Sequence, residues 1–407
     1  MNTLLQNFDV VIIGGGPAGS SAAIQLAQSG AKVLLAEQKK FPRAKLCGEF
    51  ISPECLVHFE RLGALDGMMA AGGIQLQETI FYARNGKGVA VPSEWFGQSE
   101  SFALGLSRAE MDARLLARAR ETGVEVLEET HAAGLLFEGK KIRGVQLKRE
   151  DNEEFSIKAK VTIDATGRTR ALARRIEKER GEAKRNRARF VAFKTHLEGA
   201  RVPVDQCEIY VYRGGYGGSN RVEKGLFNFC FIASAEDVKK YGDAEKVMRE
   251  VVFTNKRAAL NLGQAKIVED WQAVSIESFG RGKLIPAEGL LTIGDAAAFI
   301  DPFTGSGMLL ALESAKIAAD AIVRVLPNLD TSVGFRSLMH EYQKQYSATF
   351  DSRLRVCSWL RHIAFVPFLA EATITALSLS ERFRRRLVKA TRRQTKAIGQ
   401  EHSSVKS

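Results

Sequence analysis

Phe8-Asp-Val-Val-Ile-Ile-Gly14-Gly-Gly16-Pro17-Ala18-Gly19 is the stretch whose residue order decides the fold. Phe8 to Ile13 is short, β-branched and nearly all apolar, the pattern of a strand buried on both faces. Glycines follow at once, then Ser20 to Gln28 at helical spacing, with Gly30 as a stop. Lys32 to Leu35 is a second apolar strand, and Glu37 stands at its end. Strand, glycine turn, helix, strand and acid together form the βαβ unit that holds a dinucleotide. Gly14 permits the tight turn, Gly16 lets a pyrophosphate approach the backbone, and Gly19 lets helix pack on strand. Pro17 and Ala18 begin the helix, whose free N–H groups and positive dipole end suit phosphate. Glu37 is placed to hydrogen-bond the ribose hydroxyls of an adenosine.

Further along, Ile293-Gly-Asp295-Ala-Ala-Ala-Phe-Ile-Asp301-Pro-Phe-Thr-Gly305-Ser-Gly307-Met308 joins a strand-end acid to a second glycine loop. A long helix follows, from about Ser306 to Val325. This segment resembles the GDAA…PxxGxG signature of FAD enzymes of the p-hydroxybenzoate hydroxylase-like superfamily. The resemblance implies FAD as cofactor and Asp295 on its ribityl chain. It also implies that the Gly305-Ser306-Gly307-Met308 turn presents backbone N–H groups to the flavin ring, where a helix N-terminus would stabilise the negative charge of reduced flavin. Thr162-Ile-Asp-Ala-Thr-Gly167-Arg168 resembles the second conserved loop of that superfamily. Arg108, in the capping box Ser107-x-x-Glu110, matches the arginine that in relatives contacts the cofactor near its pyrophosphate.

Lys45-Leu-Cys47-Gly48-Glu49-Phe-Ile-Ser52-Pro53 resembles the KxCGExxSP segment of geranylgeranyl reductases, in which the Cys-Gly pair lies along the isoalloxazine. The resemblance therefore places Cys47 and Gly48 beside the flavin. Cys47 has two readings: a proton donor in catalysis, or a small residue packed against the ring. The Tyr-x-Trp-x-Phe-Pro lipid-cavity motif of archaeal reductases is absent, with Gly215-Tyr216-Gly-Gly-Ser219-Asn220-Arg221 in the comparable place. The Trp-x-Trp-x-Ile-Pro signature of flavin halogenases is also missing, because Trp271 is followed by Gln-Ala-Val; this speaks against halogenation.

The expected fold class is α/β: a Rossmann-like FAD-binding domain, a β-sheet domain roofing the substrate, and a C-terminal helical region. Residues 1–186 form the first part of the FAD-binding domain, with an interleaved substrate-domain segment near 76–106. Residues 187–282 are the β-rich substrate domain, 283–330 the return to the FAD-binding domain, and 331–407 a helical, basic region. Within the insert, strands are expected at Arg189 to Leu197, Cys207 to Arg213, Leu226 to Ile232 and Ala273 to Phe279, with one helix near Ala235 to Thr254.

Composition narrows the function classes. The 407 residues are 45% hydrophobic and 26% charged, enough apolar material for a sizeable core. No apolar run reaches the roughly 18 residues of a membrane span; Ile363 to Leu379 is interrupted by Pro367 and Glu371. The five cysteines form no CxxC pair and the six histidines have no metal spacing, so no metal site is expected. With no signal-like start, a reducing cytoplasm fits. The net charge of +12 sits in two places: Arg170 to Arg189 carries nine basic and three acidic residues, and Glu381 to Ser407 nine and two. A nucleic-acid binder would spread its charge over the fold, so nucleic acid is set aside. Two solvated helix faces, or peripheral contact with an anionic membrane at its inner face, explain the surplus.

The reading is therefore an FAD-dependent oxidoreductase acting on a hydrophobic small molecule (isoprenoid, lipid-like or polyketide-like), with saturation of an isoprenoid double bond as the leading reaction. Hydroxylation of a similar substrate by a flavin-dependent monooxygenase is the alternative, and a non-catalytic flavin-binding or electron-transfer protein the second alternative. No second GxGxxG unit is present, so electrons are expected from transiently docked NAD(P)H or a ferredoxin-like donor.

Overall fold

The computed structural model describes residues 7–96, 101–182, 188–277, 279–300, 303 and 305–390. Asp301, Pro302 and Thr304 of the second glycine loop, part of the basic arm (183–187) and the tail from 391, with Arg392 and Arg393, lie outside the described residues.

A parallel sheet forms the base. Its order is Glu125–Leu127, Val33–Ala36, Asn7–Ile13, Glu154–Asp164 and Leu290–Thr292. Strand alternation divides the buried side chains between two cores. Val10 and Ile12 face a cluster containing Ala22, Ala23, Leu115 and Leu312 from the helices Pro17–Gln28, Arg108–Glu121 and Gly307–Arg324. Val11 and Ile13 face a second cluster with Ile142, Val145 and Ile157. That second layer is a hairpin, Thr130–Glu138 and Lys141–Arg149, which pairs antiparallel with the first half of Glu154–Asp164. The second half of the same strand, Thr162–Asp164, runs parallel between Ile13 and Leu290–Thr292.

The second large sheet has eight strands. Its backbone order is Lys266–Ile267, Phe190–Glu198, Phe227–Ser234, Gly215–Arg221, Gln206–Tyr212, Glu78–Tyr82 and Gly88–Pro92, with Gln272–Ile276 also on Phe190–Glu198. Glu78–Tyr82 thus joins strands more than a hundred positions away, pairing parallel with Gln206–Tyr212. The helix expected near Ala235 to Thr254 is broken into Ala235–Tyr241 and Ala244–Glu250. Gly242, at φ 89, ends the first, and the Asp243 carboxylate caps the second by accepting from Lys246 N–H.

The last described elements are the helices Ser332–Ala364, Pro367–Leu379 and Glu381–Ala390. Among the described residues no helix is long and apolar enough to cross a membrane.

Candidate functional site

The first glycine turn owes two of its glycines to the chain itself. A Cβ on Gly14 (φ +110) would fall 2.4 Å from Ala165 O, and one on Gly19 would fall 1.8 Å from Gly14 O. Gly16 is different: the nearest atoms to its missing Cβ are guanidinium nitrogens of Arg43 and Arg108, each at 3.9 Å. Two cations therefore converge where the helix starts with Pro17 at its first position and Ala18 buried behind it. Glu37 is buried, and its Oε2 accepts the Gly15 N–H at 2.8 Å while Oε1 accepts that of Lys39 at 3.0 Å. It ties the turn to the end of the second strand, with lone pairs left on both oxygens.

Arg108 opens its helix after Ser107, whose hydroxyl accepts Glu110 N–H at 3.2 Å. The reciprocal half of the capping box is not formed: Ser107 N–H donates to Glu223 at 2.9 Å, and Glu110 pairs with Arg114 instead. Asp112 holds Arg108 bidentately at 2.9 and 2.7 Å and lies 3.4 Å from Arg43. Burial opposes the charge on Arg108, but Asp112 and then Cys47 raise its pKa. Lys45 is pushed down, first by burial and then by Arg43, Arg108 and Arg168, with Asp295 opposing. Asp295 itself is raised by burial, while Arg168, Arg108 and Lys45 pull it back. Four cations thus share one region with Asp295, Asp112 and Glu37, and Arg43 Nε, 3.6 Å from Glu37 Oε1, is buried without a hydrogen-bond partner. Such a surplus of positive charge at a helix N-terminus suits a pyrophosphate.

Gly305 (φ +61) leads into Gly307, the first residue of the helix Gly307–Arg324, and half-buried Met308 packs on the central core. A Cβ on Gly307 or on Gly48 would meet no atom within 4 Å. Packing within the chain does not demand glycine at either place. Open space beside both backbones is what a planar ring needs. Asp164, in the Thr162–Gly167 segment, serves the fold instead. It accepts from Thr166 N–H and Oγ1–H and from the N–H groups of Leu172 and Ala173 at 2.6–3.0 Å.

The sequence reading missed the anchor under Cys47 and Gly48. Half-buried Cys47 accepts Glu49 N–H at Sγ, 3.4 Å away. Glu49 (φ 50) is fully buried, and its carboxylate accepts from Lys194, from Arg108 N–H at 3.0 Å, and meets His196 Nε2 at 2.7 Å. On the far side, His196 Nδ1 lies 2.7 Å from Glu269 Oε2, an ion-pair distance without hydrogen-bond alignment. Asn228 donates to Gly48 O at 2.8 Å and Asn220 to Glu49 O at 3.2 Å. The second sheet therefore grips this loop with four side chains. The available signal was a run of three polar residues, Lys194-Thr195-His196, inside a mostly apolar strand; Lys194 and His196, two apart, share one face.

That same sheet carries an aromatic cluster. Tyr216 lies 5.1 Å from Phe303 and 6.2 Å from Phe365, Phe190 lies 5.0 Å from Phe365, and Phe279 stacks on Phe299 at 5.1 Å. Ala192, Ile232 and Leu46 complete it. A cleft of about 320 Å³ adjoins it, with Phe279, Phe299, Arg168 and Asp295 in its wall. Its wall is as much charged as apolar, with Arg170, Arg174, Glu277 and Arg281 beside Arg168 and Asp295, so the aromatic cluster borders a charged cleft.

Comparison with known proteins agrees with this geometry. Residues 7–343 match the model of the FAD binding domain family. The chain is 28% identical over 361 residues to digeranylgeranylglycerophospholipid reductase 2 of Methanopyrus kandleri, covering 86% of this chain and 85% of that protein. It is 27% identical to the tryptophan 2-halogenase of Chondromyces crocatus, over 84% of this chain and 65% of that one. A flavin-dependent brominase has the same fold, with a TM-score of 0.77, 21% identity, and 95% and 94% of the two chains covered.

Proposed function

The chain belongs to the FAD binding domain family, and on that premise we propose that it reduces carbon–carbon double bonds of a hydrophobic, isoprenoid-like substrate. It is an FAD-dependent enzyme with a mixed α/β fold. The observation that carries the narrower reading is the cluster of Tyr216, Phe190, Phe303 and Phe365 beside the Cys47-Gly48 loop. Such a wall recognises length and apolarity and offers few hydrogen bonds. Similarity to a lipid reductase along most of the chain supports it.

In this reading Arg43, Arg108 and the N–H groups at Gly16 to Ala18 hold the pyrophosphate of FAD. Glu37 meets the ribose, and Asp295 the ribityl chain. Gly48 and Gly307 leave room for the flavin ring, and Met308 N–H serves its pyrimidine edge. Bound FAD supplies hydride chemistry. The chain's own residues exclude water through the aromatic wall and hold the Cys47 loop in place through Glu49, Asn220 and Asn228. Cys47, beside Arg108, is the proposed proton donor to the substrate carbon. Electrons come from NAD(P)H or a ferredoxin-like donor.

Oxygen-dependent chemistry is the second reading, favoured by the similarity to a halogenase. Trp271 does not argue for it, since its ring packs edge-on among Phe193, Phe229 and Phe231. The test is single turnover of the chemically reduced holoprotein with a geranylgeranyl lipid, without air and then with air and halide. Gain of hydrogen pairs in the lipid without air supports reduction. Gain of oxygen or halogen only in air would replace it with the second reading.

A further inference from the structure

The helix Pro367–Leu379 packs on the second sheet through only one of its faces. Ile374 and Leu377 meet Ala83, Val89 and Phe81, and Ala370, at helical spacing from them, is buried on the same side. The opposite face bears Phe368, Leu369, Ala372, Thr375, Ala376, Ser378 and Leu379, all exposed and uncharged, with half-buried Glu371 as the one charge at its flank. Phe368 is 78% exposed and Leu379 83%. A helix on a water-facing surface normally turns charged residues outward; this one turns out three large apolar side chains, Phe368, Leu369 and Leu379.

The next helix changes character at once. Glu381–Ala390 exposes Arg382, Arg385 and Arg386 around Phe383, which is 53% exposed, against a single exposed acid, Glu381. Arg384 is turned inward over the Trp95 ring at 5.2 Å, which anchors this helix to the body. An uncharged helix face bordered by a cationic turn with its own phenyl ring matches the layering of a bilayer surface, with acyl chains below and phosphates above.

We propose that this face docks the protein on an anionic lipid bilayer, with Phe368, Leu379 and Phe383 entering the interface and Arg382, Arg385 and Arg386 meeting the phosphates. The aromatic cluster lies next to it. Phe365 closes the aromatic cluster and its carbonyl accepts Gly214 N–H at 3.3 Å, while Val366, the following residue, is exposed. Docking therefore brings the aromatic cluster to the lipid, and an apolar substrate passes from one to the other without crossing water. This consequence rests on the hydrophobic substrate proposed above; the docking itself does not.

The deciding experiment is flotation of the full-length flavin-loaded protein with vesicles of phosphatidylcholine alone and of phosphatidylcholine mixed with phosphatidylglycerol. Binding is expected with the mixture only, falling as salt rises. The Arg382→Gln/Arg385→Gln/Arg386→Gln variant is expected to partition on the order of a hundredfold more weakly. Phe368→Ser/Leu379→Ser is expected to lose binding while keeping the parent's flavin content and circular dichroism. Equal recovery with both vesicles, or parent-like flotation of either folded variant, overturns the proposal. So does a sedimenting dimer that the Phe368→Ser/Leu379→Ser variant abolishes, because a second copy would then be the occupant.

Discussion

Glu49 combines a left-handed backbone with a fully buried carboxylate, so its folding contribution depends on the charges around it. Burial would raise its pKa, but His196 and Lys194 hold it below the ordinary 4.5. Burial would lower His196, yet the bond to Glu49 and the charge of Glu269 bring it above 6.5. The stability His196 contributes is thus complete below its unfolded pKa and is lost as pH rises through the higher folded one. The parent's unfolding free energy in urea should fall as pH rises above about 6.5, the ordinary histidine value. That of His196→Gln should be lower by about 2–4 kcal/mol at the acid end and flatter across the range. Parallel profiles would show that folding leaves the His196 pKa unshifted. Gly307 poses a different question. The positive φ is at Gly305, and Gly307 faces open space, so Gly307→Val should leave the apoprotein's melting point unchanged. Flavin affinity should drop by about 1–3 kcal/mol, roughly ten- to hundredfold; unaltered loading would move the ring elsewhere. The glycine turn was legible because its partners are local. The Glu49 anchor was not, since Lys194 and His196 stand 145 and 147 positions away.

Among the elements, helix Ala171–Glu179 depends on Asp164, which stands at the end of a strand and accepts the helix's first N–H groups. Asp164→Ala should cost about 2–4 kcal/mol, combining a lost cap with stranded donors. Hydrogen exchange should accelerate first at Leu172 and Ala173. A variant that loses flavin but not stability would reverse the assignment. The long Gly307–Arg324 helix and the apolar strands were readable from periodicity, because burial on one or both faces writes directly into residue type. Strand Gly215–Arg221 was not. Its glycines carry no strand signal, and they are there because of neighbours: a Cβ on Gly215 would lie 2.0 Å from Ile232 O, and one on Gly217 3.1 Å from Phe231 Cβ. Residue type there reports cross-strand crowding, which a linear reading does not contain.

At the scale of the whole molecule, the two sheets share the chain in alternation. The base takes residues from 7 to 36 and 125 to 164, the second sheet from 78 to 92 and 190 to 276, and the base returns at Leu290–Thr292. Glycine loops betray the base at every visit, and the second sheet has no comparable marker in its first segment. The parallel pairing of Glu78–Tyr82 with Gln206–Tyr212 also sets a timetable for synthesis. At about 5–20 residues per second, a newly made Glu-Thr-Ile-Phe-Tyr strand waits some 6–25 s before its partner leaves the ribosome. For that interval it is an apolar edge held only by its hairpin mate Gly88–Pro92. Slower translation between those two strands lengthens the time that Ile80 and Phe81 wait without their partner strand.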